Sequence, residues 1–243
     1  MVDDAVMMKK PRSKKISGTP APDGAVAEPA KLPRKLLISG SKGGIGKTGC
    51  SRIVGVAASL DGLRVALVDT DDQRSLAAWH TLRDESGYES LAKLDCFPMD
   101  ITTAPEEIEK LTGYDLVVID TPNAVQAYRD AVIRLIGLAD FVLLPTGMTF
   151  DDRRSAIPWM GVMKHYGKEA AFVMNRVKRG TVAFRDAKKL LLKEGRLCPV
   201  DIPDLEHIHS FADQGLSAVD IDNAKGRDDC IGLWHFVRNE MRL

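Results

Sequence analysis

Short apolar runs alternate along the chain with longer segments of helical spacing. The runs are "KLLIS" (35–39), "RVALVD" (64–69), "YDLVVID" (114–120), "DFVLLP" (140–145), "AAFVMN" (170–175) and "LCPVDIP" (197–203). Near-continuous Val, Ile and Leu over so few residues reads as a strand buried on both faces, because a half-solvated strand would alternate apolar with polar positions. After the first run, residues 47–60 place Ile53, Val54, Val56, Ala57 and Leu60 at helical spacing, and most later gaps are also long enough for helices. The alternation predicts an α/β fold, a mostly parallel twisted sheet with helices on both faces. Ligands of such sheets bind at the carboxyl ends of the strands, and the unusual polar residues of this chain fall there.

The first 34 residues break the pattern. "KKPRSKKISGTPAPDGAVAEPAKLPR" is rich in Pro, Ala, Lys and Ser and has no apolar period, so it cannot bury enough surface to offset chain entropy. A disordered basic tail over 1–34 and one folded domain over 35–243 are expected. Residues 1–35 carry eight Lys/Arg against four Asp/Glu, although the whole chain of 243 residues has zero net charge. An apolar share of 44% suffices for a large core. Cys50, Cys96, Cys198 and Cys230 show no metal-ligand spacing, which suits reduced thiols in a cytoplasm. No apolar run approaches the roughly 18 residues of a membrane span, and no signal-peptide core follows the N-terminal lysines. A cytoplasmic protein is expected.

Chemistry concentrates in "SGSKGGIGKTGC", Ser39 to Cys50, between the first strand and the first helix. Gly43, Gly44 and Gly46 allow a turn tight enough to aim backbone N–H groups at one anion, and the helix N-terminus adds its positive dipole end. Lys47 can reach the β- and γ-phosphates of a nucleotide, and the Thr48 hydroxyl can hold Mg²⁺. The strict phosphate-loop pattern fails at its first glycine, where Ser41 stands. A glycine turn that merely caps a helix is the alternative.

Two later strand ends carry carboxylates that can face this loop. "VALVDTDDQRSLAAW" supplies Asp69, Asp71 and Asp72, and "YDLVVIDTPNAV" supplies Asp120. An Asp after four hydrophobic residues suits the Mg²⁺ shell, so Asp120 is the metal-side candidate. Asp71 is placed to orient or deprotonate an attacking water. Capping of a following helix is the alternative for each, above all for Asp69.

Taken together, "KGGIGKT", "DTDDQRSLAAW", "YDLVVIDTP", "FVLLPTGMTFDD" and "FVMNRV" resemble, in order and spacing, the deviant Walker A P-loop ATPases of the ParA/MinD group over roughly residues 35–243. The resemblance explains the second lysine of the loop. It implies that Lys42 crosses the interface of an ATP-sandwiched homodimer to touch the partner's nucleotide. It also implies Asp71 as the water-activating aspartate, Asp120 as the Walker B aspartate, Asn175 as an adenine contact and Pro203 as part of the wall beside the base. The expected catalytic set is therefore Lys42, Lys47 and Asp71. Gly43, Gly44, Gly46, Lys47, Thr48, Gly49, Asn175 and Pro203 would bind ATP, with Thr48 and Asp120 on Mg²⁺. Gly49 and Asp72 depart from the family's usual K-T-T and D-P-Q. Gln73, Ser75 and Trp79 look more like the partition branch than the MinD branch, although Trp79 would also serve as a core aromatic.

The implied function is a slow, partner-stimulated ATPase acting in plasmid or chromosome partition. Its ATP dimer would bind DNA non-specifically, associate with the nucleoid and answer to a ParB-like centromere-binding activator. "RVKRGTVAFRDAKKLLLKEGR" (176–196) offers Arg176, Lys178, Arg179, Arg185, Lys188, Lys189, Lys193 and Arg196 as a phosphate footprint. An ordinary solvated helix face is the alternative, since Asp186 and Glu194 dilute the charge. Three other roles remain open: a MinD-like membrane-positioning ATPase, a VirC-type conjugation accessory, and a nucleotide switch whose tail docks an acidic protein. The membrane role would use the apolar stripe Ile231, Trp234, Val237 and Met241, but a final helix packed on the sheet is the expected use, and membrane is not an expected partner.

Overall fold

The computed structural model describes residues 32–123 and 127–243. Its elements, in chain order, are β1 (Arg34–Ile38), α1 (Lys47–Leu60), β2 (Val65–Asp69), α2 (Ser75–Glu85), β3 (Asp95–Pro98), α3 (Ala104–Ile108), β4 (Leu116–Asp120), α4 (Arg129–Leu138), β5 (Phe141–Thr146), α5 (Phe150–His165), β6 (Ala170–Val177), α6 (Val182–Glu194), β7 (Arg196–Leu197), β8 (Ile202–Pro203), α7 (Glu206–His209) and α8 (Arg227–Met241). The strands form one sheet in the order β3-β2-β4-β1-β5-β6-β7, with β8 also paired to β6. Every pairing is parallel. The sheet is thus the parallel one expected, with helices on both faces.

The central strands are apolar along their length because both faces are covered. Leu36 and Ile38 of β1 point to α1 and α8, whereas Leu37 points to the face held by α3, α4, α5 and α6. The C-terminal stripe turns inward. Trp234 and Val237 are fully buried in the α1 face, and the Trp234 indole donates to Asp61 at 3.0 Å. Complete burial of side chains this large stabilises the fold by about 1.5–3 kcal/mol each, so the stripe belongs to the core.

Two expectations need correction. The run 197–203 is not one strand, because Pro199 lies in a break between β7 and β8, which pair with β6 at different levels. The edge strand β3 carries no apolar run, as its sequence DCFP is half exposed. Arg34, expected to end the tail, instead opens β1, where its guanidinium binds Asp140 and the Met241 carbonyl. The remainder of the expected tail, residues 1–31, lies outside the described residues.

Candidate nucleotide site

The loop from Ser39 to Gly46 leaves the end of β1, the strand flanked by β4 and β5, and enters α1. Gly44 and Gly46 hold φ of +76° and +88°, where an L side chain costs about 1–2 kcal/mol. At Gly46 a Cβ would also stand 1.9 Å from Asn175 Nδ2, so this position admits only glycine without rearrangement. Asn175 donates to the Ile45 carbonyl at 2.9 Å, which ties β6 to the loop.

Lys47 opens α1 almost fully buried. Its ammonium donates to Asn123 Oδ1 at 2.6 Å and to the Lys42 carbonyl at 3.3 Å. Burial lowers its pKa, opposed by the charges of Asp120 and Asp71. The loop therefore holds a desolvated cation satisfied by neutral oxygens, an arrangement that favours an incoming anion. Asn123 supplies the nearer of these oxygens, and nothing in its sequence context marks it for that contact.

Asp120 ends β4 in register with Ile38 of β1 and Asp69 of β2. Thr48 donates to Asp120 Oδ2 at 2.7 Å, while the other oxygen, Oδ1, is buried with no partner among the described residues. Burial pushes the Asp120 pKa up to about 7, against the pull of the Thr48 hydrogen bond. An orphaned carboxylate oxygen beside a hydroxyl is a hard-oxygen donor set, and it fits Mg²⁺.

The three carboxylates after β2 have different roles. Asp69 accepts the backbone N–H groups of Leu76 and Ala77 at 3.0 and 2.9 Å, and so holds the start of α2 rather than facing the loop. Asp72 is exposed and accepts the Tyr128 hydroxyl. Only Asp71 lines the cleft. Ser41 and Lys42 turn away from the cleft toward α5. The Ser41 and Ser155 hydroxyls lie 2.7 Å apart, and the Lys42 ammonium is 2.6 Å from Asp152 Oδ1. Asp152 also completes a capping box with Thr149 at the start of α5. Ser41 is thus compatible with the loop because its side chain points out of it.

The cleft above the loop has a volume of about 330 Å³ and runs from Gly44, Lys47 and Thr48 past Gly49 and Arg52 to Ile208 and Leu216. A phosphate end and an apolar end are what a nucleotide requires. Asn175, the expected adenine contact, lines the cleft. Pro203 does not line it. It is buried in β8 beside β6, and residues 208–217 form the wall at that end instead. Arg176, expected on the basic stripe, sits at a bulge with φ of +53° and donates to the Gly44 carbonyl at 3.2 Å. A second cleft of about 440 Å³ lies between α4 and α5, but its floor is Val132, Ile136 and Trp159, with no phosphate cradle.

The basic stripe divides in two. Arg179 pairs with Asp229 at 2.7 Å, Lys188 with Asp201 at 3.2 Å, and Arg196 with Glu240 and Glu169, so their charges are offset internally. Lys178, Arg185, Lys189 and Lys193 are exposed and form no ion pair among the described residues. The last three follow one another at four-residue intervals along α6 and form one line.

Comparison with known proteins agrees with this geometry. The family model "CobQ/CobB/MinD/ParA nucleotide binding domain" matches residues 36–218. A Gloeobacter kilaueensis protein, maintenance of carboxysome distribution protein A, is 37% identical over 121 residues, 48% of this chain and 50% of the relative. Protein virC1 of Rhizobium rhizogenes is 31% identical over 118 residues, 47% and 49% of the two chains. The match thus spans about half the length of these curated relatives. In fold, the Pyrococcus furiosus cell division ATPase MinD superposes with a TM-score of 0.71 at 22% identity, over 86% of this chain and 99% of that one.

Proposed function

Because the chain belongs to the CobQ/CobB/MinD/ParA nucleotide-binding domain family, whose ParA and MinD members are nucleotide-hydrolysing P-loop ATPases, we propose that it is a Mg²⁺-dependent ATPase that positions or partitions a cargo. The observation that carries the reading is the pairing of Asp120, one oxygen on Thr48 and the other buried without a partner among the described residues, with the desolvated ammonium of Lys47, the residue before Thr48. Thr48 and Asp120 would hold Mg²⁺, which when bound supplies positive charge against the phosphate oxygens. Lys47 would exchange Asn123 for the phosphates, and Asp71 would orient the attacking water.

In this proposal ATP also joins two copies, with Lys42 leaving Asp152 to reach the partner's nucleotide. The dimer would hold DNA without sequence preference through the exposed line Arg185, Lys189 and Lys193, assisted by Lys178, and would answer to a ParB-like centromere-binding activator. One curated relative is named for maintenance of carboxysome distribution, which supports a positioning role and leaves the cargo of this chain to experiment. Membrane docking through α8 gains no support, since Trp234, Val237 and Met241 of its apolar stripe are buried and Ile231 is partly buried against the same core.

Binding of labelled ATP together with single-turnover hydrolysis tests the reading. Lys47→Ala is expected to abolish binding, because the phosphates lose their buried cation. Asp71→Ala is expected to keep binding and lose about 100-fold or more in turnover, because only water orientation is removed. Undiminished ATP binding by Lys47→Ala would refute the nucleotide assignment, and normal turnover by Asp71→Ala would move the catalytic carboxylate elsewhere.

A further inference from the structure

Arg52 lies one helical turn beyond Thr48 on the same face of α1, and its side chain lines the nucleotide cleft. The guanidinium sits over the Trp79 ring, 5.6 Å from its centroid, and donates through one terminal nitrogen to the Ser75 carbonyl at 3.0 Å. Its Nε is buried and has no partner among the described residues. No carboxylate forms an ion pair with it among those residues, although a guanidinium offers five donors in a fork suited to oxyanions. Burial accordingly lowers its pKa, with Asp120 and Asp69 only partly opposing.

The surroundings indicate what would satisfy it. Arg52 falls between the phosphate end of the cleft, at Gly44 to Thr48, and the apolar end, at Ile208 and Leu216. Position 49, three residues earlier on the same helix face, is glycine, and a Cβ there would meet nothing within 4 Å. No side chain therefore stands between Arg52 and a ligand lying along the first turn of α1. A cation with an unused donor therefore lines the cleft one helical turn beyond Thr48.

We propose that Arg52 binds the phosphate nearest the ribose of the bound nucleotide, a side-chain contact that glycine at position 49 cannot supply. The proposal rests on the nucleotide reading of the cleft. It assigns Arg52 as a binding residue in its own right, distinct from Lys47, which serves the phosphates at the loop. It also accounts for Trp79, which carries the guanidinium on one side and donates to the Leu216 carbonyl at 3.2 Å on the other, so that the cation is held without a carboxylate to neutralise it.

Calorimetric titration of the full chain with ADP and with adenosine, in the presence of Mg²⁺, tests this assignment. For Arg52→Gln the affinity for ADP should fall about tenfold or more, as expected for loss of a charge-assisted hydrogen bond, while adenosine affinity stays within about twofold. Arg52→Lys, which keeps the charge without the fork, should recover part of the loss. Because the readout is the ratio of two affinities in one variant, general loosening of the fold would move both ligands and leave the ratio unchanged. An unchanged ADP-to-adenosine ratio in both variants overturns the proposal. Failure of the unaltered protein to bind ADP would refute the nucleotide reading first and the Arg52 assignment with it.

Discussion

Replacing Asp120 with asparagine should make the nucleotide-free protein more stable, by an amount that grows with pH. The carboxyl is completely buried, and burial raises its pKa from 3.8 to about 7 against the opposing Thr48 hydrogen bond. The unfolded chain ionises near the ordinary value, so between about pH 4 and pH 7 the folded protein retains a proton that the unfolded chain has released. Stability contributed by that proton is fully present below the unfolded pKa, falls as pH rises through the window, and is gone above the folded pKa. The separation corresponds to about 4 kcal/mol in total, of which roughly 2–3 kcal/mol disappears between about pH 5 and about pH 8. Asparagine has no charge to desolvate, and its carbonyl can still accept from Thr48. At this chain length 1 kcal/mol shifts Tm by about 2–4 °C, so the variant's advantage in Tm should be on the order of 5–10 °C larger at the higher pH. Scanning fluorimetry without nucleotide or metal measures it. An equal Tm difference at both pH values would show that Asp120 ionises normally and that its orphaned oxygen is solvated, which would remove the argument for a metal-binding role.

Two further outcomes follow from the site. Lys42→Ala should retain nucleotide affinity within a few fold yet fail to dimerise with ATP, since among the described residues the Lys42 ammonium bonds only to Asp152; sedimentation of a normal ATP dimer would exclude the cross-interface role. For DNA, replacing Arg185 and Lys189 with Glu should flatten the slope of log K against log salt by roughly 0.9 for each phosphate no longer neutralised, equally on every sequence, whereas Lys188→Glu acts mainly by breaking its pairing with Asp201. An unaltered salt slope in the Arg185/Lys189 variant would reject α6 as the contact surface.

The parts legible in the sequence are those set by local spacing. Residues 47–60 were readable as a helix to the residue, and β1, β2, β4, β5 and β6 to within two residues, because burial on both faces leaves an unbroken apolar run. β3 was not legible, since a four-residue edge strand with half-exposed side chains carries no such run. Gly44, Gly46, Lys47, Thr48 and Asp120, which the structure brings together, were marked in the sequence by lying within one turn or directly after a strand. Asn123 on Lys47, Asp152 on Lys42 and Arg52 over Trp79 could not, as each pair meets only after the sheet has assembled. Asp69 shows the same limit from the other direction. Its position after a strand admits a catalytic or a capping role, and only the docking of α2 decides for the cap.

The sheet order also bears on how the molecule can come apart. The loop of Lys47, the turn after Asp120 and the turn from Thr146 toward Asp152 hang from β1, β4 and β5, three neighbours at the middle of the sheet. The margins β3 and the short β7 pair with a neighbour on one side alone, and local opening starts where protection is least. A molecule frayed at either margin still carries all three of these segments in place, whereas parting β1 from β4 or β5 dismantles the cradle and the core together. Loss of the cradle and global unfolding are then one event, and wear at the rim of the sheet leaves the cradle standing.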